Sequence, residues 1–253
     1  RVLLAEDNQI NQQVVIGILG KQGHSIVTAE TGAIALAKLA EGNFDIVLMD
    51  VEMPEVTGLE AASLIRDKER DTGGRIPIIA LTAHAMKEDR DRCVAAGMDA
   101  YLSKPIDAKE LRRTIERLTP DDGLNASPSV DGWPNKEFAG SELLASLDGD
   151  MDLFRNIANA FVDSYQESLS ALHSAIQGSD SAGLERRAHA LRGSGGYFLE
   201  RDTMDLLLNL ELMAKEGRLD EASGVLGKLQ KDFANLAPGL RSLALKPGLV
   251  STN

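Results

Sequence analysis

The sequence predicts two domains of different fold class: a doubly wound α/β domain on a five-stranded parallel sheet, followed by an all-α four-helix bundle. Three observations support this prediction. The chain has 253 residues, which is enough for two hydrophobic cores of ordinary size. Short apolar runs alternate with segments of helical period in the first half, and strand-like runs disappear after Pro134.

Five short apolar runs predict the strands of the first domain. They cover residues 2–5, 26–29, 46–49, 76–81 and 100–102. The segments between them have helical period, so the strands should lie parallel, with helices on both faces of the sheet. Asn8 and Thr31 are placed to cap the first two of these helices. In a doubly wound sheet of order 2-1-3-4-5, the first and third strands are neighbours.

Residues 119–135 are predicted to separate the two domains. Periodicity stops there, and the segment is rich in proline, glycine, aspartate and serine. We therefore expect a first domain over residues 1–118, a flexible linker, a second domain over residues 136–240 and a tail over residues 241–253. A flexible linker of this length spans on the order of 20 to 25 Å and would hold the domains at about millimolar effective concentration.

Apolar residues of the second half recur at helical spacing. They predict one long amphipathic helix from residue 154 to residue 176. A shorter helix should precede it at residues 138–147, and two more should follow at residues 202–215 and 219–236. Another helical segment contains His189. Helices of this length with short connections favour an antiparallel four-helix bundle.

Composition excludes several classes of partner. The net charge of -12 and the pI of about 4.8 argue against nucleic acid and against an anionic membrane surface. The single cysteine, Cys93, cannot form an internal disulfide and is expected to be a buried helix residue in a reducing compartment. No apolar run is long enough to span a bilayer. We expect a soluble, cytoplasmic stretch, free or attached to a membrane-bound sensor, and we expect further polypeptide before Arg1.

Polar side chains stand just beyond four of the predicted strands. Glu6 and Asp7 follow the first strand, Asp50 the third, Thr82 the fourth and Lys104 the fifth. The carboxyl ends of parallel strands meet at one edge of the sheet, so these groups should lie together. Two carboxylates about 4 Å apart repel by roughly 4 kcal/mol at an effective dielectric near 20. A hard divalent cation with oxygen ligands would offset this repulsion, and Mg²⁺ fits best.

This set of groups predicts a phosphoryl-accepting site. With Mg²⁺ and Lys104 present, Asp50 can stay ionised as a nucleophile, while the cation, Lys104 and the Thr82 hydroxyl hold the oxygens of an incoming phosphoryl group. The ordinary alternative is that each acid is a capping or loop carboxylate. Five polar groups at successive strand ends favour the site.

These residues, at these spacings, closely resemble the receiver domain of two-component signalling across residues 1–118. The matching motifs stand in the family order: Glu6-Asp7-Asn8, Met49-Asp50, Met53-Pro54, Gly58, Leu81-Thr82-Ala83 and Lys104-Pro105. The resemblance implies a flavodoxin-like fold in which Asp50 accepts the phosphoryl group.

The resemblance also implies a metal site. Asp7, Asp50 and the backbone carbonyl of Glu52 would bind Mg²⁺, and Glu6 would act on metal-bound water. It further implies that the Lys104–Pro105 peptide is cis.

Tyr101 is the aromatic residue that the resemblance makes a reporter of phosphorylation, through coupling of its rotation to Thr82. The alternative for an aromatic residue in a terminal strand is ordinary edge packing.

The helical segment around His189 carries an unusual pattern of glycines. Gly193 and Gly196 lie one and two turns after the histidine on one face, with Arg192 beside them. An interior glycine costs about 1 kcal/mol relative to alanine, so a cleared surface around an exposed imidazole suggests close approach by another protein. A neutral imidazole can attack a phosphoryl group, and Arg192 can steady the product's charge. Equally, residues 193–196 could simply end the helix beside an ordinary surface histidine.

The pattern Ala188-His189-Ala190-Leu191-Arg192-Gly193-Ser194, followed by Gly196, Leu207, Leu210 and Glu211, resembles the histidine phosphotransfer domain over about residues 141–236. The resemblance implies that His189 is a second phosphoacceptor and that Gly193 and Gly196 belong to its docking face. Arg192 stands where the family usually has lysine, which keeps the charge and alters its geometry. A receiver joined to such a domain is the arrangement at the carboxyl end of hybrid sensor histidine kinases.

The predicted function is a His-to-Asp-to-His relay. An upstream histidine kinase would donate to Asp50, and His189 would then pass the group to a separate response regulator. No ATP-binding glycine motif occurs, so this stretch should not consume ATP by itself.

Two alternatives stay open. In the first, phosphorylated Asp50 gates a binding surface near Tyr101, and His189 only returns phosphate to solvent by way of Asp50. In the second, the chain is a Mg²⁺ phosphohydrolase, although Asp50-Val51-Glu52 lacks the second aspartate that such enzymes often have.

Overall fold

The computed structural model describes residues 1–83, 87–119 and 139–245. The chain divides into two compact units, Arg1–Asn135 and Lys136–Asn253. The predicted linker lies outside the described residues from position 120 onward, and so do residues 246–253 of the predicted tail. The exact domain boundaries therefore stay predictions.

The first unit is a parallel sheet in the order β2-β1-β3-β4-β5, which confirms the predicted doubly wound topology. Strands and helices alternate along the chain: β1 (Val2–Ala5), α1 (Gln9–Gly20), β2 (Ile26–Ala29), α2 (Gly32–Glu41), β3 (Ile46–Asp50), α3 (Gly58–Thr72), β4 (Ile78–Thr82), α4 (Lys87–Ala95), β5 (Ala100–Ser103) and α5 (Ala108–Leu118). Strands β1, β3 and β4 are buried along their whole length, as parallel strands covered by helices on both faces must be.

The register of the sheet aligns the ends of its central strands. Ala5 at the end of β1 pairs with Met49, and Asp50 at the end of β3 pairs with Leu81. Thr82 at the end of β4 pairs with Ser103. The residues that follow these strands consequently come out at the same edge.

Side-chain caps fix where the helices near this edge begin. The Asn8 side chain accepts hydrogen bonds from the amides of Ile10 and Asn11, and Thr31 accepts one from the amide of Ile34. Both caps were predicted from the sequence. Helix α3 begins with a capping box between Thr57 and Glu60, which the sequence analysis did not identify.

The second unit contains only helices among its described residues. These are α6 (Ala139–Ser146), α7 (Met151–Gln177), α8 (Ser181–Gly195), α9 (Arg201–Lys215) and α10 (Leu219–Leu245). The four longer helices, α7 to α10, contact one another in a closed ring, and α6 packs against α7. Short connections between consecutive contacting helices make them antiparallel, so the predicted four-helix bundle is confirmed.

Helix α10 is longer than predicted. It continues through Pro238 to Leu245, whereas the sequence indicated an end at residue 236. Leu240 is buried, so packing against the bundle stabilises the extra turns despite the helix-breaking tendency of proline. Within the described part of the chain, no helix combines the length and hydropathy that a membrane span requires.

Candidate functional site

Three acidic residues converge where β1 and β3 end. One carboxylate oxygen from each of Glu6, Asp7 and Asp50 lies within 4.8 Å of the others. Glu6 and Asp50 are buried and Asp7 is exposed, so the cluster opens to solvent on one side only. Neighbouring parallel strands produce this convergence, and the sequence analysis expected it for the same reason.

Lys104 ties two of these carboxylates together from the end of β5. Its Nζ atom lies 2.6 Å from Asp50 Oδ2 and 2.7 Å from Glu6 Oε2, and its side chain is buried. The peptide bond from Lys104 to Pro105 is cis, as the resemblance implied. The ammonium group therefore lies between the Asp50 and Glu6 carboxylates.

Burial and charge oppose each other in this cluster. Burial raises the pKa of Asp50 to about 7; the Lys104 ammonium opposes this rise, and the Glu6 and Asp7 carboxylates add to it. Burial by itself would lower the pKa of Lys104, but the charges of Asp50 and Glu6 outweigh that effect and raise it. Lys104 is thus charged at neutral pH, and a single ammonium faces three carboxylates.

The donor set fits a hard divalent cation. All three side chains offer carboxylate oxygens, the ligand type that Mg²⁺ prefers, and the cluster has excess negative charge. The fit rests on these three residues. The Glu52 carbonyl stays a predicted ligand; that residue's side chain is exposed and its amide donates a hydrogen bond to Asp50 Oδ1 at 3.2 Å.

Two buried amide side chains hold Glu6 in place. Asn11 Nδ2 donates to Glu6 Oε1 at 2.8 Å, and Gln12 Nε2 donates to the Glu6 backbone carbonyl at 2.6 Å. Neither residue was predicted as part of the site. The sequence feature that could have indicated them is a pair of amide residues in the first turn of the helix that follows Glu6 and Asp7.

Gly58 allows the backbone to pass directly beneath Asp50. A Cβ atom at this position would lie 2.0 Å from the Asp50 carbonyl oxygen, which is far inside van der Waals contact. The Gly58 amide also donates to the Val51 carbonyl at 3.0 Å. The loop that leaves β3 is thereby closed tightly against the site.

Thr82 and Tyr101 lie on adjacent strands. Thr82 is buried at the end of β4, and its carbonyl accepts a 2.7 Å hydrogen bond from the Lys104 amide. Tyr101 is half-buried in β5, opposite Ala80, with the Arg90 guanidinium carbon 5.6 Å from the ring centre. The structure thus places Thr82 at the site edge, while its coupling to Tyr101 stays a prediction.

The second candidate site lies in the helical unit, around His189 on α8. Its side chain is 15% exposed. The imidazole is therefore partly buried, whereas the sequence predicted an exposed one. The Nδ1 atom lies 3.5 Å from Glu211 Oε2 on α9, at the outer limit of a hydrogen bond. A carboxylate at this position favours the tautomer with a proton on Nδ1 and leaves Nε2 as the nucleophilic atom.

Arg192 is engaged with the same carboxylate. Its Nε atom donates to Glu211 Oε1 at 2.5 Å, and one terminal nitrogen donates to Oε2 at 3.2 Å. Burial acts to raise the pKa of Glu211, but hydrogen bonds from His189 and Arg192 and the charge of Arg192 outweigh it and lower that pKa. Glu211 is therefore an ionised, buried carboxylate. The sequence analysis included it in the motif but assigned it no role.

The sequence predicted an open surface formed by glycines beside His189, and the structure differs in the burial of these glycines. Gly193 and Gly196 are both buried, and α8 ends at Gly195. Part of the glycine run allows close packing, because a Cβ on Gly195 would lie 2.5 Å from Leu199 Cδ1. The docking role of Gly193 and Gly196 stays a prediction.

Comparison with known families agrees with both halves of this description. The response regulator receiver domain matches residues 2–116, and the Hpt domain matches residues 156–239. Residues 2–116 therefore belong to the receiver family and residues 156–239 to the Hpt family. The chain is a phosphorelay protein, and receiver domains bind Mg²⁺ at an acidic site of the kind formed here.

Similar proteins include a bacterial virulence sensor and a bacterial histidine-protein kinase. The virulence sensor protein BvgS of Bordetella pertussis is 29% identical over 254 residues, which cover 96% of this chain and 20% of that protein. The signal transduction histidine-protein kinase BarA of Escherichia coli K12 is 27% identical over 226 residues, covering 87% of this chain and 24% of that protein. The chain thus spans about a quarter or less of the length of these relatives.

Among solved structures, the receiver domain of a sensor histidine kinase from Pseudomonas aeruginosa PAO1 is 38% identical. The match covers 47% of this chain and 95% of that one, with a TM-score of 0.43. That structure has a magnesium ion coordinated in its active site cleft.

Proposed function

We propose that this chain accepts a phosphoryl group from an upstream phosphohistidine on Asp50, transfers it to His189 and passes it on to a separate response regulator. One observation carries the proposal. The receiver domain holds a buried carboxylate 2.6 Å from a buried ammonium within an acidic cluster, and the same chain has an Hpt histidine backed by an ionised carboxylate.

At the first site, the residues of the chain position a nucleophile and balance its charge. An Asp50 carboxylate oxygen attacks phosphorus, the P–N bond to the donor breaks, and its electrons return to the donor imidazole. Lys104 offsets the charge of the phosphoryl oxygens, and the Thr82 hydroxyl donates a hydrogen bond to them. Glu6, Asp7 and Asp50, with the Glu52 carbonyl, would hold Mg²⁺, which when bound neutralises charge on the phosphoryl oxygens.

At the second site, the electron pair of His189 Nε2 attacks the phosphorus of the acyl phosphate. The new N–P bond forms as the P–O bond to Asp50 breaks, and its electrons restore the Asp50 carboxylate. The Nδ1 proton stays on the ring beside Glu211, which balances the charge that develops on the imidazole. Attack by a separate response regulator would then empty His189.

The wider setting is part of the proposal. Because BvgS is a virulence sensor and BarA a histidine-protein kinase, and this chain matches only a fraction of each, we infer that the chain is part of a hybrid histidine kinase. The upstream donor would then be a histidine kinase core. The protein would act at the cytoplasmic side of a membrane-bound sensor.

Labelled phosphate tests the proposal. When a phosphorylated kinase core is mixed with Mg²⁺ and this chain, the chain should become labelled. Part of the label on the chain should be acid-labile phosphohistidine. Asp50→Asn should empty both sites, and His189→Gln should leave a longer-lived acyl phosphate on Asp50. His173→Gln, which changes an exposed histidine of α7, is the matched control and should behave as wild type.

The same assay separates the alternatives. Acyl phosphate on Asp50 without any phosphohistidine in the wild type would contradict the relay and favour a switch gated by Asp50. Steady turnover of a small phosphate ester would favour a phosphohydrolase.

A further inference from the structure

We propose that Arg192 is a positioning residue that acts on His189 through Glu211, and that it does not contact the phosphoryl group directly. This inference rests on the proposed role of His189 as a phosphoacceptor. It departs from the sequence expectation, in which Arg192 steadies the charge of the phosphorylated product.

The geometry of the Arg192 guanidinium group supports this role. Two of its nitrogens donate to the two carboxylate oxygens of Glu211, at 2.5 and 3.2 Å. A planar fork bound in this way has a fixed orientation, whereas a lysine ammonium can turn between partners on a flexible stem. The N–H groups of this edge are occupied by Glu211 and are therefore not available to a phosphoryl group.

The burial of Glu211, the partner of Arg192, also supports this role. The Glu211 side chain is only 3% exposed and that of Arg192 is 10% exposed. Withdrawal of the guanidinium would leave a buried carboxylate without its compensating charge, next to the doubly negative group on His189. Both effects are unfavourable, so Arg192 should stay on Glu211 throughout the transfer.

The contact between Glu211 and His189, which Arg192 supports, is a weak one. Glu211 Oε2 is 3.5 Å from His189 Nδ1, so the carboxylate can fix the imidazole tautomer only while it is ionised and held in place. Arg192 provides both conditions. It also neutralises Glu211, so that the incoming phosphoryl oxygens do not meet an uncompensated anion.

Transfer rates in a double-variant cycle test the proposal in the full chain. Arg192→Met and Glu211→Gln should each slow the transfer of label from Asp50 to His189 by at least about tenfold. The double variant should be no slower than the slower single variant, within about twofold, because both changes interrupt one path. If Arg192 acted directly on the phosphoryl group, the two losses would multiply to about a hundredfold, and that result would overturn the proposal.

The imidazole tautomer gives a second readout that needs no phosphotransfer. At about pH 9, well above the reference pKa of an imidazole, ¹⁵N chemical shifts of His189 should show the proton mainly on Nδ1 in the wild type. Arg192→Met should shift the population toward the Nε2 proton, whereas an unchanged tautomer would overturn the proposal. A wild type that never forms phosphohistidine would defeat the relay, yet this measurement would still decide the role of Arg192.

Arg192→Lys keeps the test decisive if Arg192→Met does not fold. With Glu211 present, lysine should slow transfer, because it cannot occupy both carboxylate oxygens. With Glu211→Gln, arginine and lysine at position 192 should transfer at the same rate. An equal slowing by lysine in both backgrounds would indicate direct contact with the phosphoryl group and would overturn the proposal.

Discussion

At the scale of single residues, Gly58 limits how the loop after β3 can close beneath Asp50. A methyl group at this position would lie 2.0 Å from the Asp50 carbonyl oxygen and 3.0 Å from the Val51 Cα atom. Both contacts are with backbone, which cannot rotate away. The position of the Asp50 carboxylate therefore depends on the absence of a side chain eight residues later.

Gly58→Ala should displace Asp50 and weaken the fold. We expect a loss of about 1 to 3 kcal/mol of stability, typical of forced overpacking, and roughly tenfold slower phosphorylation of Asp50. Urea denaturation and label incorporation measure the two effects. Gly74→Ala is the control, because a Cβ there would have no atom within 4 Å. Wild-type behaviour of Gly58→Ala would show that the loop yields without moving Asp50.

Site residues at the ends of strands could be predicted from the sequence, whereas site residues that meet across helices could not. Asp7, Asp50 and Lys104 follow strands, and the topology of a parallel sheet fixes where strand ends meet. Glu211 faces His189 from a different helix, and their contact depends on the relative rotation of α8 and α9. Helical periodicity identifies the buried face of each helix but does not specify which polar residues on two helices will meet. Asn11 was missed for a similar reason, because its contact with Glu6 depends on how α1 packs beside β1.

At the scale of secondary-structure elements, the end of β3 carries a charge that is unfavourable when the domain folds without metal. The pKa of Asp50 is raised to about 7 in the folded chain, mainly by burial, whereas an unfolded aspartate has a pKa of about 3.9. Between these values the folded state holds a proton that the unfolded state lacks. Stability should therefore fall as the pH rises through this window.

Asp50→Asn should remove this pH dependence. In metal-free buffer, the stability of the wild-type receiver domain should decline between about pH 4 and pH 7 relative to the variant, by at most about 4 kcal/mol. Lys104 does not add to this slope, because its raised pKa affects stability only at alkaline pH. Calorimetric melts across this range measure the difference. Parallel curves for the two proteins would show that Asp50 is already ionised in the folded state.

The opposite end of the sheet depends on an arginine that joins three elements. From α3, Arg66 donates to the Gly97 and Ile76 carbonyls at 2.7 and 2.9 Å, and to Glu69 and Asp99 at 2.6 Å each. Asp99 precedes β5 and also accepts from the Ile78 amide at the start of β4. One guanidinium therefore holds the entry points of the last two strands.

Arg66→Leu should destabilise the receiver domain by about 3 kcal/mol, because it removes four hydrogen bonds to partly buried carbonyl and carboxylate oxygens. Urea denaturation followed through receiver amide resonances measures the loss. Arg70→Leu removes an exposed arginine and its ion pair with Asp67 from the same helix, and should change stability by less than about 0.5 kcal/mol. Equal effects of the two variants would contradict a structural role for the Arg66 network.

The elements themselves were predicted with different success. Strands β1 and β3 matched closely because they are short, continuously apolar and bounded by turn residues. Strand β4 begins at Ile78, after Pro77, although the apolar run starts at Ile76. Hydrophobicity alone does not predict this start. Pro77 lacks an amide hydrogen to donate to a neighbouring strand, so the strand begins only after it. The end of α10 was missed because a local breaking signal at Pro238 was outweighed by tertiary packing of Leu240.

At the scale of the whole molecule, each of the two units has its own hydrophobic core. The receiver core includes Leu3, Val47 and Met49, whereas the helical core contains stacked aromatic rings. Tyr165 and Phe233 lie 3.9 Å apart between ring centres, and Phe161 and Phe198 lie 4.7 Å apart. A unit that buries its apolar surface internally does not need the other in order to fold.

Fragments of residues 1–119 and 136–253 should therefore fold separately and should transfer phosphate between them. The rate from phosphorylated fragment 1–119 should rise in proportion to the concentration of fragment 136–253. The predicted flexible linker would supply about millimolar effective concentration, so at about 10 μM the fragments should react on the order of a hundredfold more slowly than the intact chain. Circular dichroism checks folding, and label transfer measures the rate.

Mixing intact Asp50→Asn chains with intact His189→Gln chains tests whether the linker speeds transfer by keeping both sites in one chain. Only transfer between chains can move label from the Asp50 of one variant to the His189 of the other. If transfer in the wild type occurs within one chain, the mixture at about 10 μM should be on the order of a hundredfold slower than the wild type and should speed up with concentration. A mixture as fast as the wild type would mean that the relay step occurs between chains and that the linker does not set its rate.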